Sequence, residues 1–501
     1  LGTTVWQGAA QVQLQSVTTY TALGQWFDHI ADGLAVVESG GYLRVLYAAR
    51  ADNRLSSLTL AEDVSPPPPA PEDPQIGRST GGDLVVQNMP GAERIYVFSS
   101  HDGLLRHATL GPTGQPGLTN GTQTDQGFLF GVTAMEILER GATDIAVIAQ
   151  RNEPGLKLFS ITQTGTVTLL SSLSDSAKSY LGDVTALTSV EVAGRSFLLT
   201  ASALENGISL FEIEADGSAS FVDAMGAADG LPVGGPSALQ TAQIGGTQYV
   251  VVAGTLSSSL SVLRVNEMGV LFVHDHMIDD RSTRFDHVAA LDMFTYAGRV
   301  FVVAAGTDAG LSVVELLPDG RLSHMLSHAL ETGAGIANIT GFEVTVISTA
   351  AQILLTDARG DRIHHFAIPL AEMGGIVTAT GGTATGSARD DRLIGSASAD
   401  TLQGGAGDDY LHDGGDTDLL FGGSGADVFV FGRDDSPDRI GDFQAGTDKL
   451  DVSDWGRIYT AMALDITPTP TGAVVSYGTE TLTITRAGGG SLSLTDADFL
   501  F

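Results

Sequence analysis

Five nine-residue units follow one another between positions 386 and 430, and each carries an Asp at its sixth place and a large apolar residue at its eighth. They are Gly386-Ser-Ala-Arg-Asp-Asp391-Arg-Leu393-Ile, Gly395-Ser-Ala-Ser-Ala-Asp400-Thr-Leu402-Gln, Gly404-Gly-Ala-Gly-Asp-Asp409-Tyr-Leu411-His, Asp413-Gly-Gly-Asp-Thr-Asp418-Leu-Leu420-Phe and Gly422-Gly-Ser-Gly-Ala-Asp427-Val-Phe429-Val. Carboxylates at a fixed spacing among glycines suit a hard cation. Calcium takes six to eight oxygen ligands. Asp supplies some, and Gly supplies others by permitting the positive φ that aims a backbone carbonyl at an ion. The candidate ligands are Asp391, Asp400, Gly404, Gly405, Gly407, Asp409, Gly414, Gly415, Asp418, Gly422, Gly423, Gly425 and Asp427.

The element that must position them follows from the period. Nine residues make a six-residue loop and a short strand, and two units complete one 18-residue turn of a parallel β-roll. Loops on one side are then two units apart, pairing Asp391 with Asp409, Asp400 with Asp418, and Asp409 with Asp427. About three or more calcium ions are expected. Arg389, the run Ser396-Ala-Ser-Ala399, and Asp413 and Asp416 depart from the pattern. The early sites are expected to bind more weakly or not at all.

This part resembles the RTX, or hemolysin-type calcium-binding, family. The likeness extends through Asp438-Arg-Ile-Gly-Asp442-Phe and Gly446-Thr-Asp448-Lys-Leu-Asp451, so Asp438, Asp442 and Asp448 join the expected metal residues by resemblance. The chain's last residues, Asp496-Ala-Asp498-Phe-Leu-Phe501, are similar to the uncleaved C-terminal signal of type I secretion substrates. The resemblance implies export through a type I apparatus of a Gram-negative bacterium and folding outside the cell, in the medium or on the surface. The expected organisation is a linker at 373–385, the roll at 386–445, and a β cap with the secretion signal at 446–501.

Before the roll, one unit recurs: a Gly, a polar step, then an apolar run. It begins at Gly41, Gly91, Gly141, Gly194, Gly246, Gly298 and, degenerately, Ala350, at steps of 50, 50, 53, 52, 52 and 52. Each unit holds about four strand-like runs. Pro318-Asp-Gly and Ala215-Asp-Gly sit between alternating runs, a strong hairpin signal. Seven antiparallel units of this size read as a seven-bladed β-propeller over 1–372. Val5-Trp6 and Val12–Val17 are candidates for the strand that closes the ring, and the Pro-rich stretch 62–80 reads as a surface loop of the first blade. The fold class is therefore all-β, a propeller followed by a parallel β-roll.

The residue entering the innermost strand is His29, Gly131, Asp183, Gly235, His287 and Asn338 in six copies. His29, Asp183 and His287 are the candidate funnel residues for a metal or a general base. The alternative is that Asp-His recurs only because the blades do. His274 and His276 are two apart on a strand and form a second possible chelating pair. The blades look somewhat like lactonase-type propellers on strand grammar alone. No G-x-S-x-G elbow, H-E-x-x-H helix or phosphate loop occurs.

Composition removes other classes. The 501 residues include no Cys, which excludes disulfides, Cys-ligated zinc and a Cys nucleophile. Acids outnumber bases 59 to 25, a net charge of −34 that disfavours nucleic acid. From 381 onward there are 20 acids and 7 bases, net −13 over 121 residues, against −21 over the other 380. The C-terminal part is about twice as densely charged, so without calcium its carboxylates repel. No apolar run is long enough to span a bilayer, and with Lys only at 157, 178 and 449 a membrane-damaging toxin is disfavoured. The sequence favours a secreted calcium-binding protein whose propeller binds a surface glycan, a matrix ligand or another copy of itself, more an adhesion or surface-structural module than an enzyme. The competing reading is a secreted lactonase-like or phosphoesterase-like hydrolase acting through the funnel residues.

Overall fold

Alternating apolar runs joined by tight turns can bury one face only by stacking sheet on sheet, and this chain does so around a ring. The computed structural model of the chain describes residues 14–21, 30–39, 42–49, 54–60, 84–89, 92–99, 104–110, 116–119, 131–140, 143–164, 166–308, 310–330, 339–357 and 362–500. Among these, seven antiparallel sheets precede the roll. Blade 1 has strands Ile30–Ser39, Tyr42–Ala49 and Arg54–Leu60. Blades 2 to 6 are four-stranded and begin with the innermost strands Leu84–Met89, Val132–Leu138, Val184–Val192, Pro236–Ile244 and Ala290–Tyr296. Blade 7 contains Ile339–Ile347, Ala350–Asp357 and Arg362–Pro369, and takes its outer strand from Gln15–Thr21 near the start of the chain. Neighbouring innermost strands touch in order around the ring, and blade 7 touches blade 1. Val5, Trp6 and the stretch 62–80 lie outside the described residues.

Short polar side chains staple the inner strands together at a constant interval. Thr133 Oγ1 donates to Val184 O (2.5 Å), Thr185 Oγ1 to Pro236 O (2.6 Å) and Ser237 Oγ to Val288 O (3.2 Å), each reaching 51 residues ahead. Carboxylates do the same deeper in the ring. Glu136 Oε1 accepts from Ser189 N (2.9 Å), Asp292 Oδ2 from Val344 N (2.7 Å) and Glu343 Oε1 from Val36 N (3.3 Å). Burial pushes Glu136 and Glu343 up and raises Asp292 to about 6.

The roll has two faces. One is a six-stranded parallel sheet through Met373–Thr378, Asp390–Ile394, Tyr410–His412, Val428–Val430, Lys449–Asp451 and Phe499–Leu500. The other runs through Gly382–Thr385, Asp400–Ala406, Leu419–Ser424, Pro437–Phe443 and Glu480–Arg486, then ends in the antiparallel strands Gly472–Tyr477 and Asp465–Thr469. Between them Leu393, Leu402, Leu411, Leu420, Phe429, Ile440 and Leu450 stack with almost no exposure. Each such side chain contributes about 1.5–3 kcal/mol of burial. The expected linker at 373–385 is corrected here: Met373–Thr378 and Gly382–Thr385 are ladder strands of the first turn. That stretch lacks the Asp-Gly loop signature, but a backbone ladder needs none.

The roll docks on blade 6. In a four-stranded meander the hairpins joining strands 1–2 and 3–4 lie at one end and the 2–3 hairpin at the other. The roll meets the first end. Glu315 (1% exposed) accepts a bidentate pair from Arg299 (2.8 and 2.7 Å) and a further bond from Arg392 of the roll (2.7 Å). Arg299 Nη1 also reaches Asp390 O at 2.8 Å. Nearby, Arg321 bonds Asp319, Asp451 and the Tyr410 hydroxyl, each at 2.7 Å. Leu317 packs with Tyr410, Val428 and Val430. Burial alone would push Glu315 up; Arg392 and Arg299 outweigh it and hold it at about 2. Replacing Glu315 by Gln leaves two guanidinium groups facing each other in a dry interface. We expect a loss of about 3–5 kcal/mol, measured by denaturant unfolding at pH 7. An unchanged midpoint would show the network to be dispensable.

Candidate metal centre

In each unit the Asp of the Asp-x-apolar triplet stands at or next to the start of a strand, and the apolar residue two places on points into the core. Because units alternate between the two sheets, the Asp residues form two columns. Asp391, Asp409, Asp427 and Asp448 lie on the propeller-side sheet, and Asp400, Asp418 and Asp438 on the outer one. All are at most 4% exposed. Each carboxylate uses one oxygen to accept a backbone N–H of the neighbouring turn: from Gly375 for Asp391 and Gly382 for Asp400, and from the Asp of that turn for the others. Asp391 N donates to Asp409 Oδ1 (2.8 Å), Asp409 N to Asp427 Oδ1 (3.0 Å) and Asp427 N to Asp448 Oδ1 (3.2 Å). In the other column Asp400 N donates to Asp418 Oδ1 (2.6 Å) and Asp418 N to Asp438 Oδ1 (2.9 Å).

The second oxygen separates the copies. In the two early units a Ser occupies it: Ser387 Oγ donates to Asp391 Oδ2 (2.7 Å) and Ser396 Oγ to Asp400 Oδ2 (2.8 Å). Asp409, Asp418 and Asp427 each keep an Oδ2 that is buried without a hydrogen-bond partner. Such orphaned polar atoms cost about 1–3 kcal/mol or more each. Gly404 and Gly422 make room for two of them, since a Cβ at either would collide with Oδ2 of that unit's own Asp. Burial raises Asp409 to about 8, Asp418 and Asp427 to about 7, Asp438 to about 8 and Asp448 to about 6, with neighbouring carboxylates adding to the effect.

An oxygen-seeking dication fits these groups. It would partner the three orphaned oxygens and cancel the repulsion among stacked carboxylates. Gly405, Gly407, Gly414, Gly423 and Gly425 all have positive φ, between 95° and 139°; Gly405 and Gly423 sit near the ends of strands Asp400–Ala406 and Leu419–Ser424, the other three in loops. Gly415 does not. Asp442 and Asp448 close the end of the array: Asp442 accepts from Gly422 N and Gly423 N (both 3.0 Å), and Asp448 Oδ2 from Gln444 N (2.7 Å).

One comparison with known proteins bears on this chemistry. Residues 385–412, 394–429 and 407–435 match the family described as RTX calcium-binding nonapeptide repeat. The segment 385–435 is an RTX calcium-binding repeat array. No curated protein matches the chain. Among solved structures it is similar to a periplasmic gluconolactonase of Pseudomonas aeruginosa (13% identity, TM-score 0.46, covering 67% of this chain and 95% of that one). It is also similar to a putative 6-phosphogluconolactonase of Bacteroides fragilis (13%, 0.45, 66% and 95%) and to a Lactobacillus plantarum protein (13%, 0.44, 60% and 85%).

Two acidic residues of the RTX array, Asp413 and Asp434, were not among the ligands expected from sequence. Asp413 stands where its unit should begin with Gly, and by sequence it is a departure from the pattern. In the structure Asp413, Asp418 and Asp438 form a group whose carboxylate oxygens lie within 4.8 Å of one another. The signal was the type of the replacing residue: a site that loses a Gly and gains an Asp has exchanged one oxygen donor for another.

The propeller candidates fare differently. His29 and Asn338 lie outside the described residues. Asp183 and His287 do enter innermost strands, yet they stand two blades apart, and among the described residues neither belongs to a group of potential metal ligands. His287 is about half exposed, with Nδ1 2.9 Å from its neighbour Asp286. Gly131, Asp183, Gly235 and His287 share a left-handed backbone, with φ of 63°, 51°, 59° and 48°. That bend accounts for the recurrence of Gly, Asp and His there. The bulge beside His274 sends it and His276 to different partners, Asp319 O and Ser261 Oγ.

The raised carboxyls give the calcium-free roll a definite pH response. Their protonated forms favour the fold, so its stability is greatest near pH 4 and falls as pH rises through about 6–8. Calcium requires the ionised forms, and its uptake at pH 7 should release protons. Unfolding in chelator should therefore become easier from pH 5 to 8, and in millimolar calcium harder over the same range. Parallel profiles in the two media would contradict the assignment.

Proposed function

We propose that this chain is a secreted calcium-binding protein of a Gram-negative bacterium, exported by a type I apparatus, whose propeller serves as an extracellular binding, adhesion or surface-structural module. The observation that carries the reading is the trio of dry, partnerless carboxylate oxygens on Asp409, Asp418 and Asp427. A chain that folded in a calcium-poor cytoplasm would hold them at a cost with no return. Outside the cell, calcium converts that cost into folding free energy.

The docking geometry supports the propeller's part. The roll covers the end of blade 6 that carries the 1–2 and 3–4 hairpins. The opposite end, with the 2–3 hairpins, is turned away from it. Leu204 and Leu256 stand there at corresponding tips of blades 4 and 5, each 72% exposed. The calcium-loaded roll is thus a rigid foot, and the loop-rich far end of the propeller is the face offered to a glycan, a matrix polymer or another copy of the chain. No helix among the described residues is long and apolar enough to cross a membrane.

Light scattering across a calcium titration, from chelator to millimolar, tests both halves. The expected result is compaction of the C-terminal part, followed by calcium-dependent binding to a glycan or matrix surface, or growth into defined assemblies, without substrate turnover. No compaction on adding calcium would refute the roll's role. A compact monomer that adheres to nothing would refute the propeller's.

A further inference from the structure

The fourth unit of the array departs from the RTX pattern at its first place, and the departure puts a carboxylate there. We propose that Asp413, with Asp418, Asp434 and Asp438, forms a carboxylate-rich site for a hard cation, distinct in composition from the Gly-based sites, and that Asp413 tightens binding there. This rests on the calcium-binding reading of the roll.

Three of the four carboxylates are almost fully buried: Asp413 and Asp418 are 1% exposed and Asp438 2%. One oxygen of each lies within 4.8 Å of the others. Asp418 Oδ2 is buried and has no hydrogen-bond partner. Asp434 follows in the next turn; its Oδ2 is likewise buried and unpartnered, and its charge bears on Asp413, Asp418 and Asp438. The backbone holds Asp413 in place without exhausting it: Oδ1 accepts from Gly414 N (2.7 Å) and Gly432 N (3.0 Å), and Oδ2 from Gly432 N (3.1 Å). His412 Nδ1, 3.4 Å from Asp413 Oδ1, is the basic group at the edge.

At the sites of Asp409 and Asp427 the first place of the unit is Gly404 or Gly422, which can offer only a carbonyl. Here it offers a carboxylate. Calcium affinity is tuned by the number of charged ligands. Buried carboxylates this close repel one another until a cation sits between them. A unit that looks eroded in sequence is therefore, by charge, the strongest site of the array.

The test is calorimetric titration of the full chain with calcium, repeated with terbium. Asp413→Gly restores the family pattern, and Asp413→Asn keeps the shape while removing the charge. The expected result is one tight ion fewer in both variants, or an affinity at one site at least tenfold lower, with the remaining ions and the calcium-induced circular dichroism change retained. Unchanged or tighter binding by Asp413→Gly would overturn the proposal, and so would unchanged binding by Asp413→Asn should the Gly variant not fold. If the wild-type chain takes up neither ion, the calcium reading of the roll fails with it.

Discussion

The roll is organised by a carboxylate that does two things with its two oxygens. One accepts the N–H of the Asp a turn below, so that Asp391, Asp409, Asp427 and Asp448 form a continuous column. The other is held dry over the loop. The first bond fixes each turn's height and register, and the second leaves a charge deficit that the protein cannot fill from its own atoms. Where a Ser fills it, beside Asp391 and Asp400, the turn is self-contained. Where Gly stands in place of that Ser, the turn is incomplete until a cation arrives. The gradient from closed to open sites along the array thus follows from single residues at the second place of each unit.

The same triplets tie the metal loops to the propeller. Asp391-Arg392-Leu393, Asp409-Tyr410-Leu411 and Asp427-Val428-Phe429 send successive side chains to the loop, the blade 6 interface and the roll core. Arg392 meets Glu315, Tyr410 meets Asp319 and Arg321, and Val428 packs with Leu317. A strand that is not ordered by its column cannot present these contacts. Whatever free energy a cation adds to the column is therefore felt at the interface. The buried pair Arg299–Glu315 has a solvent-facing counterpart in blade 4, Arg195–Glu212, with the same bidentate geometry and an Arg over a Phe ring. The blades thus share the pair, and the roll has covered one copy, adding Arg392 as a second cation.

Much of this was legible because it is periodic. The steps of 50 to 53 residues, the Asp-Gly hairpins and the register-locked Leu and Phe of the nonapeptides each report a repeated backbone. Propeller and roll could be separated on these alone. What escaped was aperiodic. The first turn of the roll, Met373–Thr378 and Gly382–Thr385, has strand geometry without the loop signature, so it looked like a linker. The docking network joins residues 77 and 130 apart, and no local pattern announces that Glu315 faces Arg392 or that Arg321 faces Asp451. Asp413 was visible but was judged against a template that counts glycines rather than oxygens.

The funnel residues show a recurrence that the backbone by itself accounts for. Asp183 and His287 recur at the blade interval because the four described entries into an innermost strand, at Gly131, Asp183, Gly235 and His287, bend through a left-handed residue, and Gly, Asp, Asn and His tolerate that bend best. In a repeat protein, recurrence at the repeat interval is what the backbone imposes. A chemical site instead has to break the interval, because several different side chains must converge on one point. The orphaned Oδ2 atoms of the roll are the informative exception. They recur as buried carboxylate oxygens without a hydrogen-bond partner, and such a recurrence points to a ligand from outside the chain.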